Sequence, residues 1–397
     1  MRRIISFLGS GRYQPARYCF EGETWPATPY FGLALARHQR PDQFILLGTP
    51  GSMWDVLLSD HLQAGADYTE AHHALMECAK AAAVSQAQLD TLRPLLEAAA
   101  GCPVLPRIIP DCREAQEQAV LLATLAELTG AGDHLTLDVT HGYRHLPMLG
   151  LVAAAYLRAC RGVRIERILY GALQMQDAGV APVLDLRGLL EILDWVQALA
   201  AYDASGNLNV LCAPLAAAGL PEVAARALEQ AAFDERNLNT EGAVPRLNTA
   251  RQAMARLPPH PAFDLFRPAL ESRLAWTVGG ERWRHEAALG HCQLERGDYL
   301  RAAALFSEAV VSRQLGLEAG SRAAREAVAL ADSASCELRD LRNALAHGNP
   351  SRDSRQRGKI AKLAGSRQHL GKRLEELAVE LDLPRISTTL PNRAAHF

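Results

Sequence analysis

One stretch of the chain combines residue types that can transfer protons and hold a phosphate. It spans 338–350, LRDLRNALAHGNP. Cleavage of RNA without a metal ion is one reaction that such residues can support, because it needs a base for the 2′-hydroxyl, an acid for the leaving 5′-oxygen and a cation for the phosphate. A histidine can carry the proton steps because its ordinary pKa is about 6.5, and an arginine can hold a phosphate through two hydrogen bonds. Arg342, Asn343 and His347 are therefore candidate catalytic residues.

The spacing of Arg342 and His347 places both on one helix, which is expected to stop at Gly348-Asn349-Pro350. At about 100° per residue the two side chains lie about 140° apart around that helix. One copy then gives a loose site, whereas two copies meeting at a dimer interface bring two of each residue together. With 38 arginines and 13 histidines, about one such spacing arises by chance, so the helical surroundings and the stop signal carry the assignment.

Three segments in the first half of the chain carry residue types that hold a nucleotide. They are 9–13 (GSGRY), 48–54 (GTPGSMW) and 138–147 (DVTHGYRHLP), and each follows a short apolar run. Glycines let the backbone approach a phosphate closely, and hydroxyls and helix N-terminal amides can hold it. The ring of Tyr13 or Trp54 could stack on a base, and Arg144 could neutralise phosphate charge.

The sequence therefore predicts a nucleotide-like ligand at these segments, although neither a G-x-G-x-x-G fingerprint nor a G-x-x-x-x-G-K-[ST] loop is present. His141 has a second interpretation as a helix-capping or core histidine. The residues predicted to bind the ligand are Gly9, Ser10, Gly11, Arg12, Tyr13, Thr49, Ser52, Trp54, Thr140, His141, Gly142 and Arg144.

The elements that must position these segments alternate between strand and helix. Short apolar runs separated by helical stretches indicate a parallel, doubly wound sheet, in which ligands bind at the carboxyl ends of strands. The predicted strands are Ile4–Leu8, Phe44–Leu47, Val104–Ile109 (weakened by Pro106), Leu135–Val139, Ile165–Tyr170 and Val183–Leu186. The predicted helices between them are Tyr30–His38, Trp54–Gln63, Tyr68–Ala82, Ala115–Leu128 and Leu146–Ala159.

The strand signals stop after about residue 187, which predicts an α/β domain over 1–186 and an all-α domain over 187–397. The helices predicted there are Leu189–Ala201, Pro221–Ala232, Thr249–Arg256, Pro261–Trp276, Arg282–Arg296, Tyr299–Gln314, Gly320–Ala346 and Arg357–Leu381. Residues 384–397 have weak periodicity and are expected to form a loose tail.

A basic stretch follows the candidate catalytic residues. From Arg342 to Arg373 there are nine lysines and arginines and one acidic residue, Asp353. Such a stretch could track an RNA backbone, or it could be a solvated helix face. The candidate RNA-binding residues are Arg352, Arg355, Arg357 and Lys359.

The composition is that of a globular protein without a membrane span. The chain has 397 residues, of which 49% are hydrophobic and 22% charged, and its net charge is -2. A nucleic-acid site must therefore be a local patch. The eight cysteines include no C-x-x-C pair, which argues against a zinc ribbon or a disulfide scaffold and favours a cytoplasmic protein with reduced thiols. No metal site is expected.

The three N-terminal segments resemble the signature segments of the sensor (CARF) domain of accessory proteins from type III CRISPR systems. The stretch at Arg342 and His347 resembles the motif of HEPN ribonucleases. The first resemblance covers roughly 1–186 and implies a Rossmann-like parallel-sheet domain that binds a cyclic oligoadenylate as a homodimer, with cyclic tetra-adenylate favoured over cyclic hexa-adenylate. The second implies a helical HEPN domain.

Together the resemblances imply a cyclic-oligoadenylate-activated, metal-independent endoribonuclease of single-stranded RNA in antiviral defence. Its products would carry 2′,3′-cyclic phosphate and 5′-hydroxyl ends. One alternative is a non-catalytic sensor that recruits a partner through its helical half. A transcriptional regulator would need a basic recognition helix, and none is evident in 187–341. The sensor domain could also degrade its own activator slowly.

Overall fold

The computed structural model of the protein describes residues 1–11, 13–316, 321–348 and 354–385, with backbone alone for 354–356. The chain forms two compact units, Met1–Leu190 and Glu191–Phe397. The first is an α/β unit and the second is helical.

The first unit is built on one eight-stranded sheet with the order β3-β2-β8-β7-β6-β1-β4-β5. All six predicted strands are present, which confirms the α/β class. The strands are β1 Arg2–Phe7, β2 Arg17–Phe20, β3 Glu23–Thr24, β4 Gln43–Gly48, β5 Val104–Ile108, β6 His134–Asp138, β7 Arg164–Gly171 and β8 Val180–Asp185.

Only part of this sheet is parallel, so the prediction of a parallel sheet needs a correction. The five strands β5, β4, β1, β6 and β7 run parallel. β8 pairs antiparallel with β7, and the unpredicted strands β2 and β3 extend that side of the sheet. Pro106 lies in β5 at the opposite edge, where a missing N–H interrupts no second ladder.

Helices cover the parallel core. They are α1 Phe31–Gln39, α2 Ala66–Lys80, α3 Gln86–Ala100, α4 Ala115–Glu127 and α5 Leu146–Arg161, with short 3-10 helices at Trp54–His61 and Leu173–Met175. α3 was not among the helices predicted from the sequence. Its start is nevertheless marked by Ser85, which accepts a hydrogen bond from the Gln88 N–H at 3.2 Å, and its end by Gly101 in the left-handed conformation.

The strand order creates one crevice in the first unit. β1 pairs with β4 on one side and with β6 on the other, so the chain reverses its direction of growth between β1 and β6. In doubly wound sheets the carboxyl ends of the two strands at such a reversal form the ligand crevice. The segments after β1 and β6 therefore lie side by side.

The second unit contains only helices among its described residues. They are α6 Gly188–Ser205 (which begins at the end of the first unit), α7 Cys212–Ala217, α8 Glu222–Arg236, α9 Thr240–Met254, α10 Pro261–Arg273, α11 Arg282–Arg296, α12 Tyr299–Leu315, α13 Arg322–Ala329, α14 Ser333–His347, α15 Ser354–Ala364 and α16 Arg367–Glu380, with 3-10 helices at Leu208–Leu211 and Ala275–Thr277.

Two long helices predicted near the end of the chain are each divided in the structure. The helix predicted over 320–346 is α13 and α14, because Asp332 starts a new helix by accepting a hydrogen bond from the Ser335 N–H at 2.8 Å. The helix predicted over 357–381 is divided into α15 and α16. Ser366 starts α16 by accepting a hydrogen bond from the His369 N–H. α9 begins nine residues earlier than expected, at Thr240.

Within the described residues, no helix combines the length and the apolar character needed to cross a membrane. The predicted loose tail falls largely on 386–397, outside the described residues.

Candidate functional site

The loops after β1 and β4 are tied together by their backbones. The Leu8 N–H donates to the Leu47 carbonyl at 2.7 Å, and the Met53 N–H donates to the Gly9 carbonyl at 2.9 Å. The Ser52 hydroxyl donates to the Leu8 carbonyl at 3.0 Å. The first two sequence segments thus form one supported edge of the crevice.

The structure places Thr49, Ser52 and Trp54 inside this edge rather than on its surface. Their exposed fractions are 3%, 1% and 0%. The Trp54 indole N–H donates to the Thr49 carbonyl at 3.0 Å, and its ring packs against Gly48. The expectation that a base stacks on Trp54 is therefore wrong, because both faces of the ring are buried in the core. These three residues shape the loop.

A buried carboxylate supports the loop after β6. Asp138 has no exposed surface; its Oδ2 accepts from the Ser6 hydroxyl at 2.5 Å and its Oδ1 from the Thr140 N–H at 2.9 Å. The Tyr30 hydroxyl contacts Ser6 Oγ and donates to the Phe7 carbonyl at 3.1 Å. Burial raises the pKa of Asp138 to about 6. The sequence reading missed Ser6 and Tyr30, although a serine inside an apolar strand is a usable signal.

His141 joins this loop to the first helix. Its Nε2 accepts from the Phe31 N–H, the first of α1, at 3.3 Å. The imidazole lies edge-on to Tyr13 with ring centres 4.4 Å apart, and Tyr30 lies 5.1 Å away on a second side. Burial lowers the pKa of His141 to about 4, so the ring is neutral near pH 7. The helix-capping interpretation is thus the one that the structure shows, and a ligand contact stays a prediction.

The first and third segments meet backbone to backbone. A Cβ on Gly9 would lie 3.0 Å from the Gly142 nitrogen, and the Gly9 N–H donates to the Tyr13 hydroxyl at 2.5 Å. Thr140 Oγ1 accepts from the Gly171 N–H at 2.8 Å. The structure therefore brings Gly9, Tyr13 and the Thr140–Gly142 turn into one cluster.

The outer rim of the cluster is open to solvent. Ser10, Gly11 and Arg144 are exposed, and Arg12 lies outside the described residues. Pro147 occupies the first turn of α5, where a proline costs no intrahelical hydrogen bond. A phosphate approaching this rim would meet Arg144 and the start of α5 together.

We expect Gly142→Ala to destabilise the first unit. Gly142 has φ +101°, and a Cβ there would lie 2.9 Å from Leu146 Cδ1 and 3.3 Å from Phe7 Cβ. The strain should lower the free energy of unfolding by about 1–3 kcal/mol, measured by urea denaturation. Gly11→Ala is the matched control, because nothing lies within 4 Å of its Cβ position. Equal stability of the two variants would contradict the constraint on the turn.

The second unit contains a cavity that collects the candidate catalytic residues. α14 ends at His347, and Gly348 caps it in the left-handed conformation by donating to the Ala344 carbonyl at 2.9 Å. Arg342, Asn343 and His347 all line one cavity of about 860 Å³ formed by α12, α13, α14 and α15. A single chain therefore presents both Arg342 and His347 to the same opening, despite their separation around the helix.

Contacts within the cavity hold its polar side chains. Arg342 donates from Nε and from its terminal nitrogen to Asn343 Oδ1, at 3.2 and 2.8 Å, and His347 is exposed. Arg325 pairs with Glu308 at 2.6 Å, and Arg339 pairs with Asp340 at 2.8 Å. Neither Glu308 nor Arg325 was predicted as a site residue, since nothing in the spacing shows that α12 and α13 face α14.

The candidate RNA-binding residues do not share one site in the structure. Arg357 lines the cavity. Lys359 donates to Glu337 Oε2 at 2.8 Å, which joins α15 to α14. Arg352 and the side chain of Arg355 lie outside the described residues.

Comparison with known proteins finds a similarity in the first unit. Residues 3–173 match the CARF domain of the CRISPR system endoribonuclease Csx1. The first unit is similar to a CARF domain. A CRISPR-associated protein of Methanocaldococcus jannaschii is 26% identical over an alignment of 235 positions that covers 52% of this chain. The chain spans 37% of the length of that relative. Both similarities are to CRISPR-associated proteins.

Proposed function

We propose that the protein is a cyclic-oligoadenylate-activated, metal-independent endoribonuclease of single-stranded RNA. The observation that carries this proposal is the cavity in the second unit, where Arg342, Asn343 and His347 share one opening with further arginines. The similarity of the first unit to the CARF domain of an endoribonuclease supports it from the other half of the chain.

The residues of the cavity suit cleavage by the neighbouring 2′-hydroxyl. The 2′-oxygen attacks phosphorus, the bond to the 5′-oxygen breaks, and one proton passes from the first oxygen to the second. His347 is exposed and can exchange protons with these oxygens. Arg342 can stabilise the negative charge that builds on the phosphate. The products then carry a 2′,3′-cyclic phosphate and a 5′-hydroxyl.

In this proposal the CARF-like unit binds the activator at the crevice between β1 and β6. The open rim at Ser10, Gly11 and Arg144 and the turn at Thr140–Gly142 offer a cation, backbone amides and a hydroxyl to phosphates. Two copies of the chain would share one ring, and cyclic tetra-adenylate is favoured over cyclic hexa-adenylate. Binding would realign Arg342 and His347 of the two copies.

The proposal is tested by cleavage of a fluorescent single-stranded RNA in EDTA. Parallel reactions contain cyclic tetra-adenylate, cyclic hexa-adenylate or no activator. Cutting that depends on one activator supports both halves of the proposal and identifies the ring. Intact RNA in all reactions, together with measurable activator binding, would favour the alternative of a sensor that recruits a partner without cutting.

A further inference from the structure

We propose that Arg322 and Arg325 of α13 form a second phosphate-binding subsite, which holds the RNA backbone next to the phosphate at Arg342. The inference rests on the proposed function, since it concerns the substrate of the same cavity. It adds residues that neither the motif at Arg342 and His347 nor the basic stretch after it includes.

Two facing helices present arginines with the same spacing. Arg322 and Arg325 stand three residues apart on α13, and Arg339 and Arg342 stand three residues apart on α14. Residues three apart on a helix share a face, and all four arginines line the same cavity. Arg357 of α15 lines it too. The cations thus surround the opening from three helices.

The wall of the cavity carries more positive than negative side chains, which favours the binding of a polyanion. Five arginines and His347 line the cavity, against three carboxylates, Glu308, Glu326 and Asp340. Arg325 and Arg339 each hold one of these carboxylates. Among the described residues, neither Arg322 nor Arg342 has a carboxylate within 4.0 Å. Two guanidinium groups on opposite helices are therefore available for phosphates.

The size of the cavity indicates more than one phosphate. Its volume of about 860 Å³ lies near the upper end of the roughly 300–1,000 Å³ typical of small-ligand sites. A site for a lone phosphate at Arg342 needs neither this volume nor a second arginine pair. A stretch of single-stranded RNA supplies a second phosphate beside the scissile one, and its bases do not have to be read for it to bind.

The test measures RNA binding apart from cleavage. Full-length His347→Ala protein is titrated with a fluorescein-labelled RNA of about 16 nucleotides, long enough for one binding module, at several salt concentrations. Adding Arg322→Ala and Arg325→Ala together is expected to raise Kd about tenfold or more. The slope of log Kd against log salt should fall by about 0.7 for each lost phosphate contact.

Three control variants separate binding from folding. Arg226→Ala removes an exposed arginine that pairs with Glu222 on α8, outside the cavity, and should keep the parent Kd. Arg322→Ala alone breaks no described ion pair, so its melting temperature should not change. Glu308→Gln removes the negative charge that pairs with Arg325, so the Kd of this variant for RNA should stay the same or fall. If the role of Arg325 were purely structural, Glu308→Gln would instead weaken binding as Arg325→Ala does.

Two results would overturn the inference: a double arginine variant that binds with the Kd and salt slope of Arg226→Ala, or a Glu308→Gln variant that weakens binding as much as Arg325→Ala does. Failure of the proposed function looks different. In that case wild-type protein with saturating activator cuts no RNA, while RNA binding still depends on Arg322 and Arg325.

Discussion

Arg342→Ala and His347→Ala are each expected to lower the rate of RNA cleavage by about 10²–10⁴-fold. The first change removes the cation that stabilises the transition-state phosphate, and the second removes the group that moves protons. His347 is exposed and Arg342 has no described ion pair, so neither change should alter stability. Initial rates with saturating activator, together with thermal melts, measure both effects.

Arg342→Lys sharpens this prediction. Lysine keeps the charge but cannot bind a phosphate through two parallel hydrogen bonds, so its rate should fall between those of wild type and Arg342→Ala. Arg226→Ala, on an exposed face of α8, is the matched control and should cut at the wild-type rate. Mass spectrometry of the product ends should find 2′,3′-cyclic phosphates. Wild-type rates in both alanine variants would remove Arg342 and His347 from the mechanism.

The parallel core was predictable because its strands are buried on both faces. β4 is an almost continuous apolar run, and β1 and β6 each combine apolar residues with one buried hydroxyl side chain, Ser6 and Thr136. Apolar runs that are buried on both faces are typical of central parallel strands. β2 has four residues and β3 two, and they include charged and polar side chains. Runs this short carry no periodicity. The antiparallel direction of β8 depends on the turn before it, which hydrophobic patterns do not encode.

The candidate site residues differ in the same way: local spacing selects some of them, and only tertiary packing reveals the others. Arg342 and His347 lie on one helix with a clear stop signal, so local spacing was enough to select them. Arg322 and Arg325 reach the cavity only because α13 packs across α12 and α14, which is a tertiary fact. Trp54 was a candidate for stacking on a base, but an aromatic residue after a glycine-rich loop can also turn inward. It does so here, where the Thr49 carbonyl satisfies its indole N–H.

The N-terminal crevice depends on side chains that no ligand motif would select. Ser6 contacts the Tyr30 hydroxyl and donates to Asp138, and Asp138 accepts from the Thr140 N–H. His141 links the same turn to α1. A ligand that displaces this turn must therefore move either a buried carboxylate or the first turn of a helix. The turn after β6 is thus tied to the interior of the unit by hydrogen bonds.

A buried carboxylate in the helical unit gives a prediction for stability. Glu235 of α8 is 1% exposed, and neither of its oxygens has a hydrogen-bond partner among the described residues. Burial raises its pKa to about 7, although Arg296 acts in the opposite direction. Because the folded pKa lies above the ordinary value of 4.5, the folded state binds the proton more tightly. The stabilising contribution of the Glu235 carboxyl group is present below about pH 4.5 and is lost as pH rises through about 7.

Glu235→Gln should therefore stabilise the protein at pH 8 and have little effect at pH 4. Glutamine mimics the protonated carboxyl group, so the expected gain at pH 8 is on the order of 3 kcal/mol, measured by urea denaturation across this range. Glu337→Gln is the matched control: burial acts to raise the pKa of Glu337, but hydrogen bonds from Arg373 Nε at 2.9 Å and Lys359 Nζ at 2.8 Å hold it below the ordinary value. It should lose stability at pH 8, since Arg373 and Lys359 lose a charged partner. Parallel behaviour of the two variants would show that Glu235 is paired in solution and that its burial does not govern the pH dependence.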